Sequence, residues 1–124
     1  MPRKTRHAFR IKRVYEPAAE DDGFRVLVDR LWPRGISKEK AHIDLWLKDI
    51  APSDGLRRRV HADPMKWDAF VADYGSELRQ EPARSAVASV RERAEREPVT
   101  LLYAARDETH NNAIALKIWL EKLK

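Results

Sequence analysis

The chain has 124 residues, of which 43% are hydrophobic and 36% charged, and it carries a formal net charge of +5. That length supports one core rather than two, and the composition is that of a packed globule with a solvated exterior. Having no cysteine excludes a disulfide framework, a thiolate nucleophile and a thiolate metal site, and no apolar run approaches the roughly 20 residues of a membrane span.

The first 13 residues, MPRKTRHAFRIKR, hold Arg3, Lys4, Arg6, Arg10, Lys12 and Arg13 and no acid. Six of the 25 basic groups sit there, leaving 19 against 20 acidic residues in a nearly neutral remainder. No apolar segment follows these charges, so the start does not read as a secretory signal, and a cytoplasmic location is expected. Residues 1–8 read as a basic tail, able to touch phosphates weakly and without sequence preference.

Strand signals come at 9–15, which alternates only partly, and at the apolar runs FRVLV (24–28) and VTLLYA (99–104). The connection PAAEDDG is too short for a helical crossover, which takes about a dozen residues. Antiparallel pairing of the first two strands and a helix-free crossing both remain open.

Helix signals are stronger. Ser37 is placed to cap a helix on which Ile43, Trp46, Leu47 and Ile50 recur at i, i+3, i+4 and i+7. Pro52 ends it, and Ser53–Asp54 caps a short segment carrying Leu56 and Val60. Asp63–Pro64 is a restart, and Trp67, Phe70, Val71, Tyr74 and Leu78 form the stripe of the next helix. Residues 83–96 turn Ala86, Val87, Val90 and Ala94 inward, stopping before Pro98. Residues 110–123 are apolar over a wide arc (Ile114, Leu116, Ile118, Trp119, Leu120, Leu123). The predicted architecture is a single three-layer α/β domain over 1–124, with a small three-stranded sheet, parallel or mixed, and about five flanking helical segments.

Ligands of open α/β sheets collect beyond the carboxyl ends of strands, where free amides at helix starts attract anions. Two junctions have that form. One runs Asp29-Arg30-Leu31-Trp32-Pro33-Arg34-Gly35-Ile36-Ser37, the other Ala105-Arg106-Asp107-Glu108-Thr109-His110-Asn111-Asn112. If the strands before them are parallel neighbours, the loops face one another across a basic notch. Arg30, Arg34 and Arg106 would grip an anion, with Trp32, Gly35, Ser37, Asn111 and Asn112 completing the binding shell. In a catalytic version Asp29 or Asp107 is the general base and His110 the proton shuttle. Structural roles compete: Asp107 or Thr109 makes a good helix cap, Asn111 and Asn112 suit a first turn, Asp29 suits an ion pair with Arg30 or Arg106, Pro33 and Gly35 shape a turn, and Trp32 packs.

Other motifs are weaker. His61-Ala62-Asp63 and Asp107 with His110 lack zinc spacing, His7 and His42 read as surface residues, and Arg57-Arg58-Arg59 reads as a solvated helix face. There is no phosphate-binding glycine loop, dinucleotide fingerprint or nucleophile-elbow serine.

VLVDRLWPRGISKEKA, WLKDIAPSDGLRRRVHADPMKWDAFVADYGSEL and VTLLYAARDETHNNA resemble, in order, the YeaO-like branch of a bacterial family labelled domain of unknown function 488. The resemblance covers nearly all of the chain after residue 8. It departs from the family pattern in the HADP block and at Val60, where an aromatic would be expected, which bears on local packing. It implies a bacterial cytosolic α/β domain without an assigned activity. The wider family pairs an Asp-x-Arg after one strand with a Cys-His-Arg after another. Asp29 and His110 correspond to these by similarity, but the cysteine is absent, so a rhodanese- or phosphatase-like thiol mechanism is closed to this chain.

The expectation is therefore a pocket for a small anionic, phosphate- or nucleotide-like ligand, with no cofactor, metal or membrane partner. The rivals are a nucleic-acid accessory module using the basic arm and a noncatalytic protein-interaction domain. Neither the reaction nor the oligomeric state is specified.

Overall fold

The computed structural model describes residues 9–62 and 64–122. Strand β1 (Phe9–Arg13) leads through a 3-10 turn (Glu20–Asp22) into β2 (Phe24–Leu27). A short helix α1 (Lys38–Ala41), a two-residue strand β3 (Leu45–Trp46) and a 3-10 turn (Lys48–Ile50) follow. Helices α2 (Asp54–Ala62), α3 (Trp67–Leu78) and α4 (Ala83–Ala94) come next, then β4 (Val99–Tyr103) and α5 (Asn112–Lys122). Among the described residues the sheet has four strands rather than three, ordered β1-β4-β2-β3 and wholly parallel. Among the described residues no helix is long and apolar enough to cross a membrane.

The first two strands are neither antiparallel nor adjacent, because β4 inserts between them. The crossing needs no α-helix. It needs Gly23, whose φ of 67° favours glycine and where a Cβ would lie 2.1 Å from the Pro98 carbonyl oxygen. That close approach lets the Phe24 amide donate to the same oxygen at 2.8 Å.

Alternation along the strands divides the core. Phe9, Val26, Val28, Val99, Leu101 and Tyr103 face one way, packed with Phe70 and Tyr74 of α3, Val87 and Val90 of α4, and Leu116 and Leu120 of α5. Val14, Leu27 and Leu102 face the other way, covered by Ala41 and the half-buried Trp32, Ile36, Ile43 and Trp46. The expected helix–sheet–helix sandwich is thus helical on one face and mainly loop-covered on the other.

The helix expected after Ser37 accounts for this difference. Ser37 does cap, accepting from the Lys40 amide at 3.2 Å, but α1 stops at Ala41 and His42 takes a left-handed conformation (φ 49°). The Asp44 carboxylate then accepts the Arg25 amide at 2.9 Å and the chain continues as β3. Ile43 and Trp46 pack on the loop-covered face, Leu47 and Ile50 on the helical one. A single helix stripe could not serve both.

At its other end the loop-covered face is polar. Arg25 is 4% exposed, and its guanidinium donates to the Asp22 carboxylate and, at 2.9 Å, to the carbonyls of Ala41 and His42. Lys12 reaches the same carboxylate at 3.0 Å, and the Thr100 hydroxyl donates to the Asp22 carbonyl at 2.7 Å. Buried charge survives here because it is paired and hydrogen-bonded.

Helices α3, α4 and α5 lie close to where the periodicity predicts them; α5 begins at Asn112, not 110. The tail 1–8 with His7, the Asp63 cap, Leu123, and the side chains of Arg59, Val60 and His61 lie outside the described residues.

Candidate functional site

Because β2 and β4 are parallel neighbours, their carboxyl ends deliver the two junctions to one edge of the sheet. Asp29, two residues beyond β2, ties that edge together. Its Oδ2 accepts the Ala104 amide at 2.9 Å and its Oδ1 accepts the Asn112 side-chain amide at 3.0 Å. Asn112, the first residue of α5, also donates to the Val28 carbonyl at 3.0 Å. Trp46 donates to the Asp29 carbonyl at 2.8 Å.

Above this edge lies a cavity of about 560 Å³, within the ordinary range for small-molecule sites. One wall is the segment after β2. Trp32 is locked by its indole N–H to the Ile36 carbonyl at 2.8 Å and by an edge contact with Trp46. Leu31 beside it is 64% exposed. Ala51 and Pro52 form a second wall, and Arg30 is drawn to their carbonyls at 3.1 and 3.4 Å. Ala104, Ala105 and Arg106 form the third.

The cavity is cationic: among the described residues Arg13, Arg30, Arg34, Arg57 and Arg106 line it with one carboxylate, that of Asp29. Arg34 and Arg106 are exposed, and neither guanidinium has a hydrogen-bond or ion-pair partner among the described residues. Arg13 and Arg57 escaped the sequence reading. Arg13 counted as part of the basic arm, yet its Nε and Nη2 donate to the carbonyls of Ala105 and Ala104 at 2.9 and 3.1 Å. Its guanidinium stacks on Tyr15, whose hydroxyl donates to the Arg34 carbonyl at 2.7 Å. Arg57 counted as a solvated helix face, yet it is half-buried in the lining, its guanidinium 3.7 Å from the Asp54 carboxylate and its buried Nε without a hydrogen-bond partner among the described residues.

Of the residues singled out from sequence, Asp29, Arg30, Trp32, Arg34, Arg106 and Asn112 meet at the cavity. Gly35, Ser37, Asp107, His110 and Asn111 do not line it. Gly35 turns the chain with φ 75°, and Ser37 caps α1. Asp107 organises its own loop, with Oδ1 accepting the amides of Thr109 and His110 and the Thr109 hydroxyl, each at 2.9 Å. Those bonds hold its carboxyl below the usual range. His110 packs edge-on to Trp67, ring centroids 5.1 Å apart. Asn111 is 2% exposed and caps α5, accepting from the Ile114 amide at 2.9 Å.

The basic arm is partly spent within the fold. Arg10 pairs with Asp21 at 2.8 Å, Lys12 with Asp22, and Arg13 with the carbonyls beyond β4.

Comparison with known proteins places the chain. The profile of the family described as the inactive DUF488-N3 subclade matches residues 8–124. The Escherichia coli K12 protein named "Uncharacterized protein YeaO" is 44% identical over 113 residues, spanning 90% of this chain and 96% of that protein. The Mycobacterium tuberculosis H37Rv protein named "Uncharacterized protein Rv3073c" is 41% identical over 116 residues, 94% of each. No solved structure matches. The chain belongs to the DUF488 family, in its inactive N3 subclade.

Proposed function

We propose that this DUF488 protein binds a small anionic ligand in the cavity at the carboxyl ends of β2 and β4. The observation that carries the reading is the charge of the lining: among the described residues five arginines meet one carboxylate there, and Arg34 and Arg106 lack partners. Like charges gathered in one concavity repel unless an anion lies among them, and planar guanidinium groups suit phosphate oxygens bidentately. The start of α5, marked by Asn112 in the lining, adds the positive end of a helix.

Binding is favoured over turnover. Both oxygens of Asp29 already accept hydrogen bonds, leaving it poorly placed as a general base. Asp107 serves its loop and His110 lies against Trp67. The word inactive in the family description agrees with a binding role.

Amide chemical shifts of the full chain titrated with pyrophosphate test the reading. Perturbations centred on residues 29–34, 104–106 and Asn112 are expected. Shifts confined to another face, or none at millimolar ligand, would overturn it.

A further inference from the structure

The arginines of the lining fall into two groups by their hydrogen bonds and their places in the chain. Arg13 reaches the Ala104 and Ala105 carbonyls, Arg106 follows directly, and Arg34 is tied to Arg13 through Tyr15. This is a pole on the β1–β4 side. Arg30 reaches the carbonyls of Ala51 and Pro52 beyond β3, and Arg57 stands on α2, which begins two residues after Pro52. This is a second pole, on the β3 side. The end of β2 separates them, and there Asp29 holds its carboxylate in place on Ala104 and Asn112.

A fixed negative charge between two positive groups disfavours a single anion at the centre and favours one anionic group on either side of it. The lining also holds Trp32, Pro33, Ala51 and Ala104, whose side chains are largely apolar and suit carbon rather than a bare phosphoanhydride. Arg57 brings its guanidinium to the lining on the β3 side, 3.7 Å from the Asp54 carboxylate, where a second anionic group can share it.

We propose that the ligand carries two anionic groups joined through an uncharged carbon spacer, as in a bisphosphorylated metabolite. One group sits on Arg13, Arg34 and Arg106, the other on Arg30 and Arg57. This rests on the reading of the cavity as an anion site and narrows its ligand class.

The test is calorimetric titration of the full chain with fructose 1,6-bisphosphate, fructose 6-phosphate, pyrophosphate and inorganic phosphate. The bisphosphate is expected to bind about tenfold or more tighter than the monophosphate, and tighter than pyrophosphate. Arg57→Gln and Arg106→Gln, one from each pole, should each bring the bisphosphate down to the monophosphate level with an unchanged circular dichroism spectrum. Arg106 is exposed, so its variant stays informative if Arg57→Gln fails to fold. A smaller advantage for the bisphosphate, tighter binding of pyrophosphate, or indifference to either substitution overturns the two-pole proposal and leaves the anion site standing. Binding of none of the four removes both.

Discussion

The Asp29 carboxylate and the Asn112 side-chain amide meet at 3.0 Å, joining the end of β2 to the first turn of α5 across the neighbouring strand. The other Asp29 oxygen takes the Ala104 amide, so both oxygens face donors. Asp29→Asn would turn an N–H₂ group toward one of those donors, and leaving a partly buried donor unmatched costs about 1–3 kcal/mol. The expected outcome is a lower urea midpoint together with tighter anion binding, since a carboxylate of the cavity is gone. Unchanged stability would remove the stapling role assigned to Asp29.

Asp22 sets the acid limit of the loop-covered face. Burial pushes its carboxyl up, but the Ala19 amide, Lys12 and Arg25 outweigh this and hold it below the ordinary 3.8. The folded state therefore prefers the ionised form. Its stabilisation is fully present above the unfolded value of 3.8 and is lost as pH falls through the lower folded one. Asp22→Asn is expected to cost about 3–5 kcal/mol at neutral pH, by leaving Arg25 buried without its counter-ion, and to make the acid limb shallower. Urea midpoints between about pH 7 and pH 2.5 measure both. An acid limb as steep as that of the unsubstituted chain would contradict this.

Gly75 sits inside α3, where alanine would ordinarily favour a helix by about 1 kcal/mol. Here a Cβ would lie 2.3 Å from the Trp119 ring, which is pinned by its indole N–H to the Val71 carbonyl at 2.9 Å. Overpacking wins, and Gly75→Ala is expected to destabilise by about 1–3 kcal/mol, with a blue or red shift of tryptophan emission as the ring moves. A gain in melting temperature would show that the α3–α5 contact is looser than described.

Much of this fold was legible because one physical pattern dominated each stretch. FRVLV and VTLLYA are buried on both faces and read as strands, and the stripes of α3 and α4 belong to helices packed on a single core. The stretch from Ile43 to Ile50 misled because its helical spacing is real while its destinations differ. Ile43 and Trp46 pack on one face of the sheet, Leu47 and Ile50 on the other, as the chain crosses the edge as β3. Spacing along a sequence does not record which cluster a residue joins. The cavity shows a similar gap. Asp29, Arg30, Arg34 and Arg106 follow strands and could be placed from topology. Arg13 and Arg57 sit within basic runs, and a run of like charges does not mark the one member that turns inward.

The central claim is that Arg34 and Arg106, 72 positions apart in the chain, serve one anion site. Calorimetry of pyrophosphate binding to the full chain and to Arg34→Ala/Arg106→Ala, at low and moderate salt, tests it most directly. The account expects saturable binding to the unsubstituted chain that weakens with salt, and a loss of about tenfold or more in the double variant. Melting should barely move, because solvated charges contribute within about 0.5 kcal/mol. Equal affinity in the two proteins, or no binding to either, would contradict the account.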